Sequence, residues 1–131
     1  MKSSNREDLQ KDPLTGLIIG AAIDVHRTLG PGLLESTYQQ CLAHELSQHE
    51  IPLKLEHPLP VQYKGIRLDC GYRVDLIVGN RIIVELKAAK TIEDIHKAQL
   101  LTYMKLASMD TGLLINFNVQ KLIDGVQRFK L

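Results

Sequence analysis

Apolar residues recur at helical spacing early in the chain, where Leu14, Leu17, Ile18, Ala21 and Val25 form one stripe. Asp12-Pro13 supplies a cap and a first-turn proline, which predicts a helix running through Leu29. Gly30-Pro31-Gly32 breaks it, and a second helix is expected from about Leu33 to Gln48. The pattern then changes period. Lys54–Tyr63, interrupted by Pro58 and Pro60, reads as an irregular edge strand or strand pair, and Ile66–Leu68 leads into a central hairpin of Tyr72–Val78 and Ile82–Lys87. Thr91–Ala107 returns to helical periodicity, with Thr91 or Asp94 as cap and Ile95, Ala98, Leu101, Thr102 and Leu106 as the expected packing stripe. Thr111–Phe117 and Val126–Leu131 complete the set as strands. Helices before and after a strand-rich middle predict a mixed α/β fold, one sheet covered by the apolar stripes of its helices.

The hairpin register follows from matching apolar residues. Pairing Val78 with Ile82, Leu76 with Val84 and Val74 with Leu86 brings the apolar set onto one face and sets Asp75 opposite Glu85. A two-residue turn would send those carboxylates to opposite faces, so an odd-length turn, Gly79-Asn80-Arg81, is expected.

This register has chemical content. Side chains alternate along a strand, so Glu85 and Lys87 project together while Leu86 points away, at the end of the apolar run Ile82-Ile83-Val84. Adjacent carboxylates repel unless a proton or cation lies between them, and oxygen donors suit a hard ion such as magnesium or manganese. Such an ion polarises a phosphoryl oxygen and generates hydroxide, with Lys87 positioning water or balancing charge. The same spacing equally suits a salt-bridge cluster on a wet sheet face, and on spacing alone both readings stand.

Other residues bear on the choice. His96, Gln99 and Tyr103 share a helix face; Gln99 is either a surface amide or a hydrogen-bond partner of the carboxylates or a phosphate, and Tyr103 suits a core aromatic with a satisfied hydroxyl. Glu35 lies on the same helical face as Tyr38, Leu42 and Leu46, where both the helix dipole and a catalytic role are available explanations. His26, one turn before the Gly-Pro-Gly break, fits a structural role better than ligation, although it could approach the same cleft.

These residues resemble a known family. Gly32-x-x-Glu35-x-x-Tyr38 is similar to the motif that names the GxxExxY proteins, a group within the PD-(D/E)XK nuclease superfamily; Asp75 with Glu85-Leu86-Lys87 resembles its D…ExK signature, and Gln99-x-x-x-Tyr103 its QxxxY element. The resemblance runs from about Leu14 to Arg128 and includes Leu114-Ile115-Asn116-Phe117; it departs from the signature in lacking a proline before Asp75. It implies a restriction-endonuclease-like core, a mixed central sheet flanked by helices. It also implies roles: Asp75, Glu85 and the Leu86 carbonyl bind magnesium or manganese, Glu35 completes the acidic cluster directly or through water, Lys87 acts on the water, Gln99 supports the site, and Tyr38, Tyr103 and His26 lie around it. The implied activity is metal-dependent phosphodiester hydrolysis of DNA, with RNA as the alternative substrate. The competing reading is a catalytically inactive nucleic-acid or protein-interaction module that retains the fold, working as a homodimer.

Composition narrows the rest. A chain of 131 residues with 44% hydrophobic and 24% charged residues fits one domain over 12–131 after a flexible leader over 1–11. No apolar run approaches a membrane span and residues 1–11 lack a secretory core, so the cytoplasm is the expected location. Cys41 and Cys70 suggest neither a disulfide framework nor a zinc site, and Cys41 fits a small core position. Net charge is only +1, but residues 61–105 carry Lys64, Arg67, Arg73, Arg81, Lys87, Lys90, Lys97 and Lys105 against Asp69, Asp75, Glu85, Glu93 and Asp94, an excess of cations that grows once Asp75 and Glu85 are neutralised. It could then hold a phosphate backbone, although a scattered, solvated set of cations is the ordinary meaning of such a count.

Overall fold

The computed structural model describes residues 12–131; the leader expected over 1–11 lies outside them. Helix α1 spans Pro13–Leu29 and α2 spans Glu35–Ser47. Strands β1 (Leu53–Pro58), β2 (Val61–Tyr63), β3 (Ile66–Leu68), β4 (Arg73–Val78) and β5 (Ile82–Lys87) follow, then α3 (Asp94–Leu106), β6 (Thr111–Asn116), a 3-10 turn (Leu122–Gly125) and β7 (Val126–Lys130). Asp12 caps α1 as its sequence position predicts, accepting from Leu14 N at 3.2 Å and from Thr15 Oγ1 at 2.9 Å.

Five strands form one sheet in the order β1-β4-β5-β6-β7, antiparallel except for β5 and β6, which run parallel and are joined through α3. The short β2–β3 hairpin stands as a separate two-stranded sheet. Alternation along β5 explains the layering. Ile82, Val84 and Leu86 pack against α1 and α2 in a core that includes Ile18, Ala22, Tyr38 and Leu42. Ile83 joins the opposite core beneath α3, with Leu100, Tyr103 and Met104. Every residue of β6 is buried, as expected of a strand covered on both faces. This is the mixed sheet flanked by helices that the sequence implies.

The hairpin register is as expected at Val78↔Ile82 and Leu76↔Val84, across the three-residue turn Gly79-Asn80-Arg81. Gly79 and Asn80 both take left-handed backbone (φ 63° and 54°), a conformation glycine and asparagine tolerate best. One expectation is overturned: Val74 does not share the face of Leu76 and Val78 but packs with Ile77 and Ile83 under α3. The alternation slips at Asp75. The β4–β5 pairing stops at Leu76↔Val84, and on the other side the β1–β4 ladder passes over Glu56, whose φ is 46°.

The α3 stripe matches expectation only in part, Leu101 and Leu106 packing against the core beneath it. Leu100, Tyr103 and Met104 are the buried residues, whereas Ile95 is 68% exposed and Ala98 and Thr102 face outward. Apolar content on both sides of this helix makes the stripe ambiguous from periodicity alone, and the docking surface on β6 decides it. No helix among the described residues is long and apolar enough to cross a membrane.

Candidate active site

The site lies where β4 and β5 lose their ladder. Asp75 and Glu85 each replace a missing strand bond with a carboxylate: Asp75 N donates to Glu85 Oε1 at 3.0 Å, and Leu86 N donates to Asp75 Oδ2 at 2.8 Å. Glu85 is only 5% exposed, and burial, reinforced by the neighbouring Asp75 charge, pushes its carboxyl up to about 8. Asp75 is raised in turn, first by burial, with the charges of Glu35 and Glu56 adding to it. The Leu86 N–H and the Lys87 charge act against that rise. Lys87 stabilises the ionised form of both acids.

Glu85 and Lys87 emerge on the α3 side of the sheet, continuing from Ile83. There α3 presents Gln99, whose Nε2 donates to Tyr103 Oη at 3.2 Å, and His96 on the same face. Burial, followed by the Glu85 charge, raises the Tyr103 phenol. Lys87, His96, Gln99 and Tyr103 together line a cavity of about 580 Å3. The shared face expected for these α3 residues is therefore present.

Glu35 arrives from the other layer. It opens α2 and, though exposed, accepts from Ala88 N at 3.3 Å, just beyond the end of β5. Tyr38 sets this approach. Fully buried, it stacks on Phe117 with centroids 4.3 Å apart and planes 9° apart. Its hydroxyl donates to Gly30 O at 2.6 Å and accepts from Leu33 N at 3.1 Å. The loop it fastens runs through Gly30 and Gly32 at φ 73° and 99°, where side-chain-bearing residues would be strained. In physical terms the Gly-x-x-Glu-x-x-Tyr spacing is a clasp: the glycine turns the chain, the tyrosine pins the turn, and the glutamate is delivered to the sheet end.

His26 is not among the residues brought together. It is buried, its Nε2 lies 2.8 Å from Val119 O, and its ring sits 6.3 Å from that of Phe117, the structural role favoured by the sequence. Two neighbours of the site had no role assigned from the sequence, Asn116 entering only as part of the resembling run Leu114-Ile115-Asn116-Phe117 and Glu56 not at all. Asn116, 3% exposed, binds both polar groups of Ala89, accepting from its N at 3.1 Å and donating to its O at 2.9 Å, and also accepts from Asn118 N. It thereby fixes the segment whose Ala88 N meets Glu35. Glu56 lies on an edge strand and adds negative charge near Asp75 from its irregular position.

The donors suit a hard divalent cation. Asp75 and Glu85 supply carboxylate oxygens with limited exposure, and a cation bound there would offset both the burial and the Asp75 charge that raise Glu85. Among the described residues no three His, Cys, Asp or Glu side chains form a metal-binding group, so the fit rests on this pair, with Glu35 standing off at Ala88.

A family model described as the PD-(D/E)XK nuclease superfamily matches residues 12–129, nearly the whole chain. The chain belongs to that superfamily. PD-(D/E)XK proteins are generally nucleases and typically use divalent metal ions. No curated protein and no solved structure matches this PD-(D/E)XK chain significantly.

Proposed function

We propose that this protein is a magnesium- or manganese-dependent nuclease that hydrolyses phosphodiester bonds, with DNA as the principal substrate. One observation carries the reading: buried Glu85 and half-buried Asp75, each bonded to the other's strand, stand beside Lys87, which lines a cavity, in a chain of the PD-(D/E)XK superfamily. Asp75, Glu85 and the Leu86 carbonyl would hold the metal, with Glu35 reaching it through water. When bound, the metal supplies Lewis acidity toward the phosphoryl oxygen and lowers the pKa of water. Lys87 orients the attacking water and offsets the negative charge that grows on the phosphoryl oxygens. Gln99, braced by Tyr103, offers an amide to the same space. The reading extends to membership of the GxxExxY group, carried by Gly32, Glu35 and Tyr38, to one domain over 12–131, and to a cytoplasmic location.

The test is incubation of purified protein with single-stranded, double-stranded and structured DNA and RNA in magnesium or manganese. Asp75→Asn and Lys87→Ala are run beside it. Cleavage that requires metal and disappears in both variants is the expected result. Cleavage that survives in them would assign the activity to a contaminant, and binding without cleavage would point to an inactive module, its homodimerisation then checked by sedimentation. Calorimetric titration with manganese adds an independent readout: unchanged affinity in Glu85→Gln removes that residue from the ligand set.

A further inference from the structure

The cavity beside the carboxylates holds more than the proposed chemistry uses. One wall comes from α3, where Ile95, Ala98 and Thr102 line it although none of them packs into the core. The facing wall is Tyr72, 45% exposed, with Val61 of β2 beside it. Tyr72 is a preset platform. Its carbonyl accepts from Leu59 N at 2.9 Å, Leu59 is itself buried, and its ring meets that of Tyr103 edge-on with centroids 6.0 Å apart. Lys87 lines the same space, so an occupant sits next to the carboxylates. At about 580 Å3 the volume lies within the roughly 300–1,000 Å3 of small-ligand pockets.

An apolar slot with an aromatic wall, a few polar groups and a cation at one end matches an unpaired nucleotide: base against Tyr72, phosphate toward Lys87. A paired base inside a duplex cannot enter, because its faces are already stacked and its edge is occupied. We propose that this cavity binds an unstacked nucleobase next to the scissile phosphate, which makes single-stranded or locally melted nucleic acid the preferred substrate. The assignment rests on the hydrolytic reading of the site for its location, but it is measured by binding alone.

The experiment uses the full chain carrying Asp75→Asn, in magnesium, with fluorescence anisotropy of a short oligothymidine, an abasic oligomer of equal length and the corresponding duplex. The abasic strand keeps the phosphates and removes the bases. Oligothymidine is expected to bind about tenfold tighter than either control, since stacking one base on an aromatic side chain has an effect of that order. Adding Tyr72→Ala, or Ala98→Trp to fill the slot from the other wall, removes that preference, while Tyr72→Phe retains it. Both sites are at the surface, so circular dichroism should be unchanged. Equal affinity for thymidine and abasic strands, preference for the duplex, no binding to any of the three, or a preference that survives Tyr72→Ala overturns the proposal. A Tyr72-dependent preference in a protein whose wild type cuts nothing leaves the pocket standing and removes the hydrolytic reading. Cleavage without a base preference does the reverse.

Discussion

At the scale of single residues, Asp75 and Glu85 each bind the backbone of the neighbouring strand, and this shapes what their removal does. Truncating either to alanine leaves a partly buried N–H, at Leu86 or Asp75, without its acceptor. Chemical denaturation of the metal-free protein should show a loss of about 1–3 kcal/mol for each alanine variant, with Asp75→Asn and Glu85→Gln recovering much of it. The pH dependence has a definite sign. A carboxyl raised to about 8 in the folded state from 4.5 binds more protons folded than unfolded across that interval, so the metal-free protein loses stability as pH rises from about 4.5 to 8. Glu85→Gln should flatten this limb of a melting-temperature profile, and an unchanged slope would remove Glu85 as its source. Much of this was legible: the apolar match in the hairpin brought Asp75 opposite Glu85 without coordinates. The slip that sends Val74 to the other core was not, because it arises from the carboxylates taking over backbone bonds, and no side-chain pattern encodes that.

At the scale of elements, α2 and its preceding loop act as one delivery unit. Tyr38→Phe preserves the stack on Phe117 and deletes the hydroxyl that joins Gly30 to Leu33. Unfolding should show a cost of about 1–2 kcal/mol. If Glu35 serves the reaction, the turnover rate should drop by more than that cost explains, because the loop that aims it is loosened. Helix α3 depends on close approach to β6. A Cβ at Gly112 would meet Met104 Sδ at 2.7 Å and a Leu100 methyl at 3.0 Å, so Gly112→Val should destabilise the fold by about 1–3 kcal/mol, whereas Gly112→Ala is eased by the flexible methionine. Here sequence reading located the helix and caught only the margin of its buried side, Leu101 and Leu106. The helix carries apolar residues on two sides, and only the glycine-floored contact with β6 selects Leu100 and Met104 over Ile95 and Ala98.

Across the whole molecule, Asp12 ties the start of α1 to distant chain segments. One Arg81 nitrogen reaches its two oxygens at 2.7 and 3.0 Å, and Arg128 on β7 lies 3.8 Å away. The Arg81 hydrogen bond holds the Asp12 carboxyl down to about 2 from 3.8. The resulting stability is present above about 4 and disappears as pH falls through 2. Asp12→Asn keeps the helix cap and loses the ion pair, so the difference between the two proteins in urea midpoint should be visible at neutral pH and close as pH approaches 2. Such long-range ties, like the order of the five strands, were beyond sequence reading, because nothing local in Asp12 or Arg81 names its partner. The placement of the candidate site between layers has a consequence for the proposed chemistry. Asp75, Glu85 and Lys87 belong to the sheet surface beneath α3, while Glu35 comes across from the layer on the opposite side. The site thus draws on both faces of the sheet. On the proposed chemistry, cutting power would therefore demand that both helical layers be seated on the sheet at once.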